Sequence, residues 1–148
     1  ERDYQIGPSL CGGLTLRHYA SFSKCESLTK LDARFDAEQP FFKEHGIHVL
    51  LSQNNYGELI IGDSHHCGLP LEPFDHSAID EAILNSLHGL IELKNFAISE
   101  RWNGTYPKLK GSLSLVQEVV PGVTVVNGFG GAGMTLSMGT AEEILHSL

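Results

Sequence analysis

Apolar positions recur along this chain in two rhythms. In 12–22, GGLTLRHYASF, Leu14, Leu16 and His18 alternate with Thr15, Arg17 and Tyr19, the two-residue period of a strand. In 23–39, SKCESLTKLDARFDAEQ, Leu28, Leu31 and Phe35 fall on one helical stripe that opens at Ser23 and stops before Pro40. Residues 46–63 place two apolar runs around QNNYGE, a hairpin whose Asn and Gly residues are expected to supply positive φ angles. A second helix is expected over 75–93, capped by Ser77, with Asp80 and Glu81 near its start and Ile79, Ile83, Leu87 and Leu90 on its buried face. Residues 96–108 begin as a strand and end in a turn, 114–128 form a hairpin turned at Pro121-Gly122, and 133–148 read as a helix with a glycine-rich entrance. The order β-α-β-β-α-β-β-β-α lacks an alternating βαβ series. The expected class is therefore α+β, a mainly antiparallel sheet with helices packed on it.

Composition narrows the function classes. The 148 residues suffice for a domain with a real core, and 41% hydrophobic with 19% charged residues is ordinary for a globular protein. No apolar run approaches the ~20 residues of a membrane span, and no basic region leads into an apolar core as in a signal peptide. Eighteen acidic against ten basic residues give a net charge of −8, which argues against nucleic acid as a partner. Cys11, Cys25 and Cys67 are odd in number and widely spaced, so a disulfide framework is not expected and a reducing cytoplasm is the expected setting.

The segment GFGGAG, 128–133, matches the G-x-G-x-x-G dinucleotide fingerprint. VTVVN precedes it and MTLSMGTAEEIL follows, as strand and helix should. The acidic residue expected about twenty positions on has no place before Leu148, so the match is a decoy for the N-terminal fingerprint. Its local physics survives. Glycines remove side-chain bulk where strand turns into helix, so a flat ligand can approach the backbone. The helix N-terminus beyond favours an anion or an electron-rich carbonyl. A tight turn with no ligand is the alternative.

VVNGFGGAGMTLSMGTAEEIL resembles the C-terminal segment of FAD-dependent amine and amino-acid oxidoreductases, the family of glycine oxidase, sarcosine oxidase and D-amino-acid oxidase. GLTLRHYASF, GIHVLLSQNNYGELIIGDSH and ERWNGTYPK are similar, in this order, to substrate-domain strands of a bacterial branch that often accompanies phosphonate-degrading enzymes. The resemblance implies a substrate-binding domain over 1–112 and, over 113–148, the last strand, turn and helix of an FAD-binding domain. The rest of that domain, with the true fingerprint, would be the N-terminal partner in the same protein; the chain opens at Glu1, without a methionine. FAD is the implied cofactor, its ring against the backbone of Gly130, Gly131, Ala132, Gly133, Met134 and Thr135. The implied activity is oxidation of a C–N bond in a small amine or amino acid by hydride transfer to flavin, lost without the FAD domain. The rival class is a non-catalytic α+β domain that binds a small anion or a protein partner.

Four side chains are candidates for the substrate. Glycine oxidase and its relatives carry a carboxylate-binding arginine before the proline of WNGTYP, whereas Tyr106 stands here, so another group must neutralise an anionic substrate. Arg17 is the candidate clamp, with an ordinary ion pair as its alternative. His18, expected on the opposite sheet face from Arg17, can orient substrate or be structural. His48, between Ile47 and Val49, is either a satisfied core histidine or a pocket donor. Tyr106 can offer its hydroxyl; Trp102 reads as packing. DSHHC, 63–67, is not expected to hold a metal, because adjacent residues of an extended segment point apart and no second ligand cluster is evident. Asp63 and His65 instead resemble the family's strand end at the pocket rim.

Overall fold

In the computed structural model, which describes residues 5–68, 74 and 76–147, the chain forms two compact units, Glu1–Ala97 and Ile98–Leu148. Asp75 and Leu148, at the ends of two expected helices, lie outside the described residues.

The first unit is organised by the hairpin. Strand β1 (Leu10–Cys11) pairs antiparallel with β2 (Leu50–Gln53), which pairs antiparallel with β3 (Leu59–Gly62), so β2 is central. The turn between β2 and β3 rests on two devices. Gly57 adopts φ 82°, and the Asn54 side-chain oxygen accepts the Tyr56 and Glu58 N–H groups at 2.9 and 3.0 Å. Asn54 acts through this side chain, not through a positive φ, which among the described residues only glycines adopt.

Helix α1 (Glu26–Glu38) stops before Pro40 as expected, but Cys25 rather than Ser23 precedes it, and Pro40 begins a second short helix, α2 (Pro40–Glu44), that the sequence did not suggest. Leu28, Leu31 and Phe35 on α1 are half-buried. Helix α3 (Ser77–Leu87) carries the larger apolar burden through Ile79 and Leu87. Its cap is His76 rather than Ser77, with no side-chain capping bond, and Leu90 falls beyond its end. Val49, Leu51 and Leu87 form the core, with Ile6, Leu10, Leu59, Ile61, Leu84, Ile91 and Leu93 packed against it. Each fully buried aliphatic side chain contributes about 1.5–3 kcal/mol.

The strand expected over 12–22 is not formed. Gly13–His18 and Ala20–Phe22 are short 3-10 helices. The reason lies at β2: the Gly12 N–H donates to the Val49 carbonyl at 2.7 Å, and the Thr15 hydroxyl, on a side chain 1% exposed, donates to the same oxygen at 3.2 Å. That second bond curls the chain back and ends the ladder. Arg17 and His18 therefore do not face opposite sides of a sheet. Residues 96–107 likewise form no strand, and Lys108 makes a single bridge to Phe129.

In the second unit β4 (Leu115–Val120) and β5 (Val123–Asn127) pair antiparallel around Pro121-Gly122. Gly122 has φ 79°, and its N–H donates to the Glu118 carboxylate at 2.8 Å. Gly130–Ala132 make one 3-10 turn, and α4 runs over Gly133–Ser147. All of β4 is exposed and α4 buries none of its residues. Every described strand pairing is antiparallel, so the α+β expectation holds. Among the described residues no helix is long and apolar enough to cross a membrane, and Cys11, Cys25 and Cys67 are free.

Candidate functional site

The first unit gathers three imidazoles and a carboxylate, and a shift in strand register does it. Along β2 and β3 the pairing runs Gln53 with Leu59 through Leu50 with Gly62. Continued without change, it would set His48 opposite Ser64. Instead the His48 N–H donates to the Asp63 carbonyl at 3.1 Å and the Asp63 N–H to the His48 carbonyl at 2.8 Å, so His48 faces Asp63. A one-residue shift moves side chains to the other face of a ladder. Asp63 and His65, two apart, thereby both reach His48.

His48 is 4% exposed. Its Nε2 lies 2.8 Å from His65 Nε2 and 2.9 Å from Asp63 Oδ1, while His65 Nε2 lies 3.4 Å from Asp63 Oδ2. At the last residue of the first 3-10 helix, His18 sets its ring centroid 4.1 Å from that of His48 and 5.5 Å from that of His65. Burial, then the neighbouring His48, His65 and Arg17, push His18 down to about 4 against the opposing pull of Asp63. Burial alone would raise Asp63. Its contact with His48 and the charges of His48, His65 and His18 outweigh that and hold the carboxyl below its usual range.

Gly46 fixes the position of His65. It adopts φ 56°, and a Cβ there would stand 2.8 Å from the His65 carbonyl oxygen. Gly46→Ala is expected to cost about 1–3 kcal/mol, from left-handed strain plus the displaced carbonyl. Urea denaturation monitored by circular dichroism measures it. A midpoint equal to that of the parent protein would show that the backbone here yields freely.

Arg17 points elsewhere. Its Nε lies 3.1 Å from Asp32 Oδ1 and its terminal nitrogen 2.9 Å from Asp36 Oδ1, and Lys43 also pairs with Asp36. The Lys43 ammonium, and after it the Arg17 guanidinium, hold Asp36 below the usual carboxylate range, with desolvation opposing them.

In the second unit Tyr106 meets the glycine bend. The Gly130 N–H donates to the Pro107 carbonyl at 3.2 Å, and the Tyr106 hydroxyl stands 3.4 Å from where a Cβ on Gly131 would sit. Gly128 and Gly130 take φ 86° and 59°. Gly130 and Gly133 are half-buried; Gly131, Ala132, Met134 and Thr135 are exposed.

Among the sequence candidates, then, His18 meets His48, and Tyr106 meets Gly131. One premise of the sequence reading is corrected: Asp63 and His65 of DSHHC do have ligand-type neighbours, namely His18 and His48. His65 and Asp63 were legible only as a pocket rim, because no residue between 54 and 63 signals the register shift.

The family described as FAD dependent oxidoreductase matches residues 14–146. The chain belongs to that family, and FAD is the family's cofactor. Among the curated proteins and among the solved structures, nothing matches the chain.

Proposed function

We propose that this chain is the C-terminal part of an FAD-dependent oxidoreductase that oxidises a C–N bond of a small amine or amino acid, with a secondary amine or an aminophosphonate as the favoured substrate class. The observation that carries the reading is the family match running through the glycine bend, where Gly131 is exposed and an added Cβ would meet only Tyr106, while Gly130 packs on the Lys108 side chain. The resemblance of the flanking segments to the glycine oxidase and sarcosine oxidase relatives supports the C–N chemistry. The exposed β4 and the unburied α4 suit a hairpin and helix that complete a larger FAD domain.

The residues present fit the cofactor. Gly130, Gly131, Ala132 and Gly133 leave a flat face, and the first turn of α4, at Met134 and Thr135, directs backbone N–H groups and the positive helix end outward. FAD supplies hydride acceptance from the carbon that bears the nitrogen. The chain's own residues bind and orient. In this reading His18 and His48 orient the substrate, and Tyr106 offers its hydroxyl beside the glycine bend. His18, held neutral, can accept a hydrogen bond from the amine. The Arg17 charge is already matched by Asp32 and Asp36, so in this reading Arg17 stiffens the turn that carries His18 rather than clamping the anion.

The test is spectroscopic. The protein expressed from its whole coding sequence is expected to be yellow, and small secondary amines or aminophosphonates should bleach its flavin band without oxygen. A colourless full-length protein that takes up no FAD on reconstitution would overturn the reading in favour of a binding domain.

A further inference from the structure

The three imidazoles that meet in the first unit converge more closely than substrate orientation alone requires. Each offers one nitrogen, and these atoms all lie within 4.8 Å of one another. His48 and His65 face each other Nε2 to Nε2 at 2.8 Å, and Asp63 reaches both, at 2.9 and 3.4 Å. Such convergence gathers more lone pairs than protons. Neutral His48 and His65 have one N–H each to give, and their facing Nε2 atoms and the two Asp63 oxygens compete for it at the same point. The buried Nδ1 of His48 makes no hydrogen bond, although buried polar groups are nearly always satisfied.

We propose that His18, His48 and His65, with Asp63 as the fourth donor, bind a divalent first-row transition cation. Metal–nitrogen bonds of about 2.0–2.1 Å in a tetrahedral site put ligand nitrogens about 3.3–3.4 Å apart. The His48–His65 pair has only to open by roughly half an ångström to reach that spacing, and His18 to swing in from its exposed position. Imidazole nitrogens with one carboxylate select zinc, cobalt, nickel or copper over magnesium and calcium. The frame is stiff where it needs to be: His48 and Asp63 are locked by their reciprocal backbone bonds, and the His65 N–H donates to the His45 carbonyl at 3.0 Å.

The probes are zinc and cobalt(II), added to the full-length protein after chelator treatment, removal of any affinity tag and dialysis. Calorimetry is expected to show one equivalent of zinc bound, and cobalt to give the visible absorption of nitrogen-ligated low-coordinate Co(II). His18→Ala and His65→Ala should each weaken zinc at least tenfold, and Asp63→Asn, which keeps shape and loses charge, should weaken it by about tenfold or more. His146→Ala, on the exposed face of α4, should leave it unchanged. Because His48 is buried and its replacement can unfold the unit, the two more accessible histidines carry the test. No stoichiometric binding, or binding that His18→Ala and His65→Ala leave intact, overturns the proposal. Neither readout involves flavin or substrate, so failure here is separable from failure to bleach the flavin.

Discussion

Leu87→Ala is expected to destabilise the first unit by about 2–5 kcal/mol, the range for a leucine truncated inside a packed core. Leu87 is 0% exposed and joins Val49 and Leu51 in the core, so it is the point at which α3 holds β2. Alanine removes the methyl groups that fill this contact and leaves a cavity the neighbouring backbone cannot fully close. The midpoint of urea denaturation should fall with little change in slope. Leu145→Ala provides the contrast: Leu145 is 71% exposed on α4, and its truncation should change stability by no more than about 0.5 kcal/mol. Equal effects of the two substitutions would mean that the core lies somewhere other than between α3 and β2. The consequence reaches the imidazoles, since Val49 follows His48 directly and a loosened β2 loosens the reciprocal pair with Asp63.

The second large effect is expected at the glycine bend. Gly131→Leu in the full-length protein should leave folding nearly unchanged and weaken FAD retention by about ten- to a hundredfold, equivalent to roughly 1–3 kcal/mol of overpacking. The two outcomes separate because Gly131, unlike Gly128 and Gly130, does not adopt a left-handed φ. A Cβ there meets only the Tyr106 ring and hydroxyl, at 3.8 and 3.4 Å. Gly128→Ala is the opposite case. Its Cβ would lie 2.8 Å from Leu109 carbons at φ 86°, so it should injure the fold itself. Flavin-to-protein absorbance ratios and far-ultraviolet circular dichroism distinguish the two. A Gly131→Leu protein with a full complement of flavin would show that no ring rests on this bend.

The elements with strong local signals were legible. Both hairpins follow from apolar runs around turn residues, and Gly57 and Gly122 supply the positive φ that those turns need. Pro40 sets the boundary between α1 and α2, and the 3.6-residue stripe of Ile79, Ile83 and Leu87 marks α3. What misled was alternation without a partner. Leu14, Leu16 and His18 have the strand period, yet the Thr15 hydroxyl and the Gly12 N–H both close on the Val49 carbonyl and curl the segment into a 3-10 helix. Periodicity reports which side chains can share a face and not whether a neighbouring strand is there to receive them.

The same division runs through the site. The amino-acid sequence by itself determined the class of fold, the bare bend at 130–133 and the presence of histidines at 18, 48 and 65, because these depend on local conformational preference and residue chemistry. Only the tertiary structure decided that the three imidazoles meet. Their meeting depends on a one-residue change of register just beyond the ends of β2 and β3, at His48 and Asp63, and on a carbonyl of Val49 that turns the chain at Thr15. Both are contacts between residues far apart in the chain. Each is fixed by the need to satisfy buried backbone groups, and that need arises only once the core has closed around them.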